Sequence, residues 1–410
     1  MRILWIKTEL LHPLDKGGKI RTFHILKELN RAHRVTYLTL DGGGGAADAV
    51  QRAGEYCSEL VRVPFHLCRK FSVRFYAELA HNLASRLPYA IARYQCREMQ
   101  RNVVVRAQSG EVDVLVCDFL TPSVNVPNVR CPTVLFQHNV EATIWRRRYE
   151  VAKQPLARAY LRAQWRKIAA FEAAECRRYD QVAAVSARDR DTMIRDYGVT
   201  NASYVSTGVD TEYFRPTACG DRKRHGIVFT GSMDWFPNDD GIQYFIKEIM
   251  PLVRQAVPDA SLTVVGRNPS AALVELSAQT GSVIVTGSVD DVRPYMERAT
   301  VYVVPLRIGG GTRLKIFEAM AMGLPVVSTS IGAEGLPLEN EQELVLADRP
   351  EHFAAAVEHL LTKPESATAM GCRAAARVRR EFGWPRAARE FEAICAEAMN
   401  AGRSRHELTV

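Results

Sequence analysis

The sequence lacks several features that would assign it to a protein class at once. Its nine cysteines are scattered singly along 410 residues, and no two have the CxxC spacing of a zinc or thioredoxin-type site. No apolar run approaches the roughly 20 residues that a membrane span needs. The opening segment, Met1–Lys7, is too short for a signal peptide. These absences predict reduced thiols and a cytoplasmic protein without a membrane-spanning helix.

The composition excludes further classes. Hydrophobic residues make up 47% of the chain and charged residues 24%, which is the balance of an ordinary globular protein rather than of a disordered, collagenous or coiled-coil one. The length predicts two or three domains.

Positive charge is unevenly distributed along the chain. The net charge is +8, and the segment from Ala142 to Thr200 holds 13 Lys/Arg residues against 7 Asp/Glu residues. Such a patch suits an anionic membrane surface, a phosphorylated ligand or nucleic acid, and a solvated helical face is the alternative. Because the sequence has no recognised nucleic-acid-binding module, a nucleic-acid partner is not expected.

Short apolar runs alternate with helical patterns, which predicts an α/β fold with doubly wound parallel sheets. The predicted strands are Arg2–Lys7, Arg34–Thr39, Val112–Cys117, Thr133–Gln137, Gln181–Val185, Ile227–Thr230, Ser261–Val265, Val283–Thr286, Val301–Pro305, Pro325–Ser328 and Leu344–Ala347. They form two sets, which predicts two Rossmann-like domains, residues 1–206 and 207–384. A final helix, at about residues 385–400, is expected to pack back on the first domain.

Two segments of the first domain follow predicted strands, where open α/β sheets bind ligands. Gly17 and Gly18 lead into a helix whose N-terminus favours an anion, although a plain glycine turn is the alternative. The loop matches neither GxGxxG nor a Walker motif, which argues against NAD and P-loop chemistry. His138 follows the strand Thr133–Gln137 and can bond sugar hydroxyls or stabilise charge, with a structural role as the alternative.

Two segments of the second domain also follow strands. Gly231 and Ser232 can approach a phosphate, or they can belong to a turn before a helix capped by Asn238 and Asp239. The other segment reads as strand, glycine loop, helix, turn and strand, and its candidate ligand-binding residues are Gly309, Gly310, Gly311, Thr312, Arg313, Lys315 and Glu318. Backbone N–H groups and two cations there can neutralise a diphosphate. A carboxylate in an apolar helix, such as that of Glu318, is costly to bury without a partner and therefore indicates a ligand.

These residues resemble the retaining GT-B glycosyltransferases, specifically the family 4 group that uses nucleotide sugars. The segments that carry the resemblance are Gly17-Gly18, Val185-Ser186, Thr207–Phe214, Phe229–Ser232, Val265-Gly266, Val285–Val289 and Glu318–Val327. The nearest subgroup resembles sugar transferases of exopolysaccharide gene clusters.

The resemblance implies two domains facing across a cleft and a retaining transfer of hexosyl type, from a nucleotide-diphosphate sugar to a lipid-linked or polysaccharide-precursor glycan. It also implies front-face attack on the donor without an obligatory metal or cofactor. Glu318 would hold the nucleotide ribose, and the backbone from Gly287 to Val289 would meet the base. The loop from Gly309 to Thr312 would surround the diphosphate, together with Gly17 and Gly18. His138 would touch the transferred sugar.

Two residues depart from the family pattern. Gly310 stands eight positions before Glu318, where the family has a second glutamate that contacts the sugar, and Asp240 stands where a lysine is common. We therefore expect Arg313 and Lys315 to neutralise the phosphates, and we count them with His138 as catalytic. Two rival functions stay open, a nucleotide-sugar 2-epimerase of the same fold and a non-catalytic nucleotide-sugar-binding protein. The arginine-rich first domain is expected to dock on the inner face of an anionic membrane, with a soluble acceptor as the alternative.

Overall fold

The computed structural model describes residues 1–43, 45–69, 71–216, 225–308 and 314–407. The chain forms two compact units, Met1–Ser206 with Trp384–Val410, and Thr207–Gly383.

Within its described residues, the first unit has strands β1–β7: Arg2–Lys7, Arg34–Asp41, Glu59–Pro64, Val114–Asp118, Thr133–Gln137, Gln181–Ala184 and Ala202–Tyr204. They form one parallel sheet in the order β3-β2-β1-β4-β5-β6-β7. The helices α1–α7 of this unit are Gly17–Leu29, Val73–Leu83, Tyr89–Ala92, Arg97–Gln108, Glu141–Val151, Pro155–Arg178 and Ala187–Tyr197.

The burial of each strand explains which strands the sequence predicts. Every residue of β4 and β5 is buried, as expected of parallel strands covered by helices on both faces. The strands β3 and β7 are missing from the prediction, and they are the two edges of the sheet. In β3 only Val63 is buried, and β7 has no buried residue, so neither has a continuous apolar run.

The second unit has strands β8–β13 within its described residues: Gly226–Thr230, Ser261–Val265, Val283–Val285, Val301–Val304, Val326–Ser328 and Val345–Leu346. They form a second parallel sheet in the order β10-β9-β8-β11-β12-β13. The helices α8–α14 of this unit are Phe236–Tyr244, Met250–Ala256, Ala271–Thr280, Arg293–Glu297, Leu314–Ala321, Pro350–Thr362 and Pro364–Glu381.

A π-helical turn, Phe245–Ile249, joins α8 to α9. It comes just before Pro251, which has no N–H group to continue the α-helical hydrogen bonds.

The last helix, α15 (Trp384–Glu407), packs on the sheet of the first unit. The ring of Phe391 lies 5.1 Å from that of Trp5 in β1 and 4.9 Å from that of Phe136 in β5, measured between centroids. No helix of the described residues combines the length and the apolarity needed to cross a bilayer. The two parallel sheets confirm the predicted α/β class.

Candidate functional site

In the first unit, Asp118 joins the ends of three strands. It is the last residue of β4 and is fully buried. One carboxylate oxygen accepts hydrogen bonds from Trp5 Nε1 at 3.0 Å, Lys7 Nζ at 2.8 Å and Thr22 Oγ1 at 2.6 Å. The other accepts a hydrogen bond from His138 Nε2 at 2.7 Å. A buried carboxylate with four donors is stabilised as the anion.

The bond from Arg21 fixes the proton on the imidazole of His138. Arg21 NH1 lies 3.2 Å from His138 Nδ1, and a guanidinium can only donate. Nδ1 therefore accepts, so the ring proton is on Nε2, which donates to Asp118. Burial lowers the pKa of His138 to about 3, and the opposing charge of Asp118 does not offset it. His138 is thus a neutral imidazole with both nitrogens bonded inside the unit and only 3% of its surface exposed.

Phe119 and Gly18 complete this cluster. The Phe119 ring stacks on His138, with 3.8 Å between ring centroids and 12° between the planes, and Lys7 Nζ lies 4.2 Å from its centroid. A Cβ atom on Gly18 would lie 2.5 Å from Cζ of Phe119. Only glycine therefore lets the start of α1 approach the Phe119 ring this closely.

The adjacent Gly17 is the exposed first residue of α1. The preceding residue, Lys16, makes no side-chain cap, so the first N–H groups of the helix have no such partner. The structure thus brings Gly17, Gly18 and His138 together, as predicted for one ligand-binding edge. Their contacts with a ligand stay predictions.

In the second unit, hydrogen bonds link the loops after β8, β9 and β10. The backbone N–H of Gly231 donates to the carbonyl of Val265 at 2.9 Å, and that of Gly266 donates to the carbonyl of Gly287 at 3.2 Å. A Cβ atom on Gly266 would collide with the carbonyl of Gly231. Gly287 has φ of +73°, in the left-handed region that favours glycine. Three of the glycines that carry the family resemblance therefore meet at the carboxyl ends of the strands.

Asn238 holds the loop after β8 in place. Its Nδ2 donates to the carbonyl of Ser232 at 2.8 Å, and Arg267 Nε donates to the Ser232 hydroxyl at 2.6 Å. The residue that precedes α8 is Trp235, which makes no side-chain cap. The carboxylate of Asp239 accepts hydrogen bonds from Ser270 and Gln243 instead. The alternative in which Asn238 and Asp239 cap the helix is therefore wrong.

Lys315, on α12, reaches this same loop. Its Nζ donates to Asn238 Oδ1 at 2.9 Å and lies 4.1 Å from the centroid of the Phe229 ring. A Cβ atom on Gly231 would lie 2.6 Å from that Nζ. Asp240, where the family commonly has a lysine, pairs with Arg307 at 2.6 Å. The cation beside Gly231 thus comes from α12 rather than from the position of Asp240.

Glu318 lies one turn further along α12 and is half-buried. Burial raises the pKa of its carboxyl group to about 7, against the opposing effect of the Lys315 charge. Among the residues that the structure describes, none is hydrogen-bonded to this carboxyl group. A desolvated carboxyl group without a partner is costly, and a ligand with hydroxyl groups would satisfy it.

The remaining predicted residues are placed as follows. Val289 packs against an apolar cluster of the second unit, so its backbone rather than its side chain is available to a base. Gly309, Gly310, Gly311, Thr312 and Arg313 lie outside the described residues. Within the described part of the chain, no group of three or more His, Cys, Asp or Glu residues is placed to hold a metal ion.

Two family models match the chain, one over each unit. The model "Glycosyltransferase Family 4" matches residues 16–213, and "Glycosyl transferases group 1" matches residues 224–363. The chain belongs to the family 4, group 1 glycosyltransferases. The predicted family resemblance is confirmed.

Two curated relatives match parts of this family 4 chain. It is 28% identical over 239 residues to D-inositol 3-phosphate glycosyltransferase of Salinispora tropica, a match that covers 51% of this chain and 49% of that protein. It is 25% identical over 151 residues to an uncharacterized 44.6 kDa protein in the cps region of Klebsiella pneumoniae, covering 35% of this chain and 38% of that one. The matches thus span about half or less of each relative.

Solved structures show the same GT-B fold over the whole length. Sucrose-phosphate synthase of Thermosynechococcus elongatus superposes with a TM-score of 0.67 at 17% identity, covering 100% of this chain and 99% of that one. Anabaena HepE in complex with UDP and glucose superposes with a TM-score of 0.66 at 13% identity, covering 97% and 99%. At these identities the similarity establishes the fold, and the predicted GT-B class is confirmed.

Proposed function

We propose that this protein is a retaining glycosyltransferase that moves a hexosyl group from a nucleotide-diphosphate sugar to a hydroxyl group of a glycan acceptor. The observation that carries the proposal is the carboxyl group of Glu318. It is half-buried, has no hydrogen-bond partner among the described residues, and lies one helical turn from Lys315. Membership of the family supports the same reaction class.

The second unit would bind the donor. Glu318 would accept both ribose hydroxyl groups, and Lys315, with Arg313, would neutralise the diphosphate. The loop from Gly309 to Thr312 would surround the phosphates, and the backbone from Gly287 to Val289 would meet the base. The complex of HepE with UDP and glucose supports a uridine nucleotide as the first donor to test.

The first unit would receive the acceptor. Gly17 and Gly18, at the start of α1, would approach the diphosphate, and His138 would lie near the transferred sugar. Because His138 is neutral and both of its ring nitrogens are bonded to Arg21 and Asp118, it would shape the site near the sugar rather than transfer a proton at neutral pH.

The proposed mechanism needs no protein nucleophile. Asp118, the carboxylate nearest to His138, is occupied by four hydrogen-bond donors. In front-face attack, the bond from the anomeric carbon to the phosphate oxygen breaks while the acceptor oxygen bonds to that carbon. The acceptor proton passes to the departing phosphate. The protein then positions the reactants and stabilises the leaving group, and we propose that no metal is obligatory. Full activity in the presence of a chelator is expected, and a loss that magnesium restores would contradict it.

A polysaccharide precursor is the proposed acceptor, carried on a lipid at an anionic bilayer. The relative in the cps region of Klebsiella pneumoniae supports the polysaccharide. Helix α2 supports the bilayer, since Val73, Tyr76 and Leu83 lie on one of its faces with exposed fractions of 89%, 57% and 62%. Phe71, just before this helix, is 78% exposed. The basic residues of α5, Arg146–Arg148, belong to the same unit and would attract anionic headgroups.

A thermal-shift panel of nucleotide sugars tests the donor site. We expect one nucleotide series to stabilise the wild-type protein and Glu318→Ala to abolish that stabilisation. Glu275→Ala is the matched control, because Glu275 is an exposed glutamate on another helix of the same unit. Stabilisation that survives Glu318→Ala, or the absence of any stabilising nucleotide, would overturn the proposal.

A further inference from the structure

The first unit contains a cavity of about 360 Å³ next to the start of α1. Its wall includes Glu9 and Lys16 from the β1–α1 connection and Lys19 from the first turn of α1. It also includes Asp41, at the end of β2, and Phe65, just after β3. Because all three strands are parallel, these segments meet at the same edge of the sheet as Gly17. The volume lies in the range of about 300–1,000 Å³ that is typical of small-molecule sites.

The charges that line the cavity balance one another. Glu9 accepts from Lys16 Nζ at 3.0 Å and lies 3.6 Å from Lys19 Nζ, which is also 3.5 Å from Asp15. Asp41 pairs with Arg62 at 3.0 Å. A phosphorylated ligand would need a cation that is not already paired with a carboxylate. A ligand with many hydroxyl groups can instead donate to the carboxylates and accept from the ammonium groups.

An aromatic pair forms another part of the wall. The rings of Phe65 and Tyr94 are stacked, with 6.3 Å between centroids and 19° between planes, and both are partly exposed. The apolar C–H face of a pyranose ring can pack on such a surface while its hydroxyl groups face the charged residues. The cavity thus combines an apolar face with a neutral, polar rim.

We infer that this cavity binds a neutral saccharide unit of the acceptor. The inference rests on the proposed function, since Lys16, which lines the cavity, immediately precedes Gly17 and Gly18, the first residues of α1, which are proposed to approach the donor. The bound saccharide is held against the Phe65–Tyr94 pair, and the acidic and basic groups of the rim orient its hydroxyl groups.

Saturation-transfer NMR on the full chain tests the inference. The probes are methyl glycosides of the common hexoses, N-acetylhexosamines and 6-deoxyhexoses, with inorganic phosphate as a separate probe. At least one glycoside is expected to bind, and Tyr94→Ala should weaken that binding by about threefold to tenfold. Tyr94→Phe keeps the ring and should restore the affinity. Tyr204→Ala, which removes an exposed tyrosine of the same unit, should leave it unchanged.

A second variant, Glu9→Gln, removes a hydroxyl acceptor with little change of shape and should also weaken binding. The absence of binding by every glycoside, binding that neither variant weakens, or binding of phosphate alone would overturn the inference. Nucleotide stabilisation through Glu318 is measured in parallel. If it persists while no glycoside binds, the saccharide site fails alone. If it is absent while glycosides bind at Tyr94, the proposed donor function fails and the saccharide site stands.

Discussion

Arg21 donates a hydrogen bond to Nδ1 of His138 across 3.2 Å, so the imidazole presents its only proton to Asp118 through Nε2. Both partners of the histidine are thus fixed before any ligand arrives. The imidazole therefore belongs to a buried hydrogen-bond network that fixes the start of α1 beside the ends of β4 and β5.

The buried neutral state of His138 predicts a pH-dependent stability. Its pKa falls from 6.5 to about 3 on folding, so between these values the unfolded chain binds more protons than the folded one. The free energy of unfolding of the first unit should therefore decrease as the pH falls through this window, by up to about 1.4 kcal/mol per pH unit from this group. Urea unfolding of the wild type and of His138→Gln measures it, and the advantage of the wild type should shrink towards pH 3.

His81→Gln is the control, since His81 is an exposed histidine of the same unit. Its unfolding free energy should run parallel to that of the wild type over the same pH range. A constant difference between wild type and His138→Gln would contradict the assignment of a neutral, buried imidazole.

Glu318 predicts a pH-dependent donor affinity. Its pKa of about 7 means that the carboxyl group is largely protonated in the free protein at pH 6, whereas a ribose diol prefers the carboxylate as double acceptor. Affinity for a nucleotide sugar should rise with pH up to about pH 7, by as much as about tenfold per unit, and then level off. An intact nucleotide sugar is the right probe, because its phosphates do not titrate in this range. Calorimetry on Glu318→Gln should show no such slope, and a slope that persists in that variant would disprove the assignment.

Lys315 predicts a loss of diphosphate affinity. Because its ammonium group lies beside Gly231 and Asn238, Lys315→Ala should weaken nucleotide-diphosphate binding by about 10- to 100-fold, as expected for a charged hydrogen bond of roughly 1.5–3 kcal/mol. Arg313→Ala is expected to do the same. Lys247→Ala removes an exposed lysine of the same unit and should bind normally. Unchanged affinity in both variants, measured by calorimetry, would reject the pair as phosphate-binding residues.

The exposed face of α2 predicts membrane binding. Flotation with vesicles that contain anionic lipid should recover the wild-type protein, and replacing Val73 and Tyr76 by serine should reduce the recovered fraction severalfold. Neutralising Arg146–Arg148 should reduce the recovered fraction most at low salt, because higher salt screens the attraction between these arginines and anionic lipid. Val274→Ser, at an exposed apolar position of the second unit, is the control. Equal flotation of all variants would exclude the α2 face and Arg146–Arg148 as the membrane-binding surface.

The interior of each sheet could be predicted from the sequence because its strands are continuous apolar runs. Strands β4 and β5 are examples, with every residue buried. The edge strands β3 and β7 could not be predicted from the sequence, because a strand with solvent on one side has a mixed composition that resembles a loop. Their identity depends on pairing with β2 and β6, which a local pattern does not contain.

The sequence predicts the glycines, Glu318, Lys315 and His138 of the candidate site, because these residues follow predicted strands or lie in or next to segments that carry the family pattern. It does not predict the partners of His138. Lys7 and Asp118 are 111 residues apart and meet because β1 and β4 are adjacent, with Ile6 opposite Cys117. The signal available in the sequence was that two apolar strands, β1 and β4, each end in a charged residue, Lys7 and Asp118. Asn238 was misread as a cap because its bonds to Ser232 and Lys315 arise from tertiary packing.

The position of α15 has a consequence for biosynthesis. The first half of the chain buries Trp5 and Phe136 against Phe391, a residue that is synthesised after the whole of the second unit. The intervening unit, Thr207–Gly383, is one uninterrupted stretch and can mature during translation. The sheet of the first unit therefore keeps an uncovered apolar surface until α15 has been synthesised. During that interval the nascent surface is prone to aggregate with other chains.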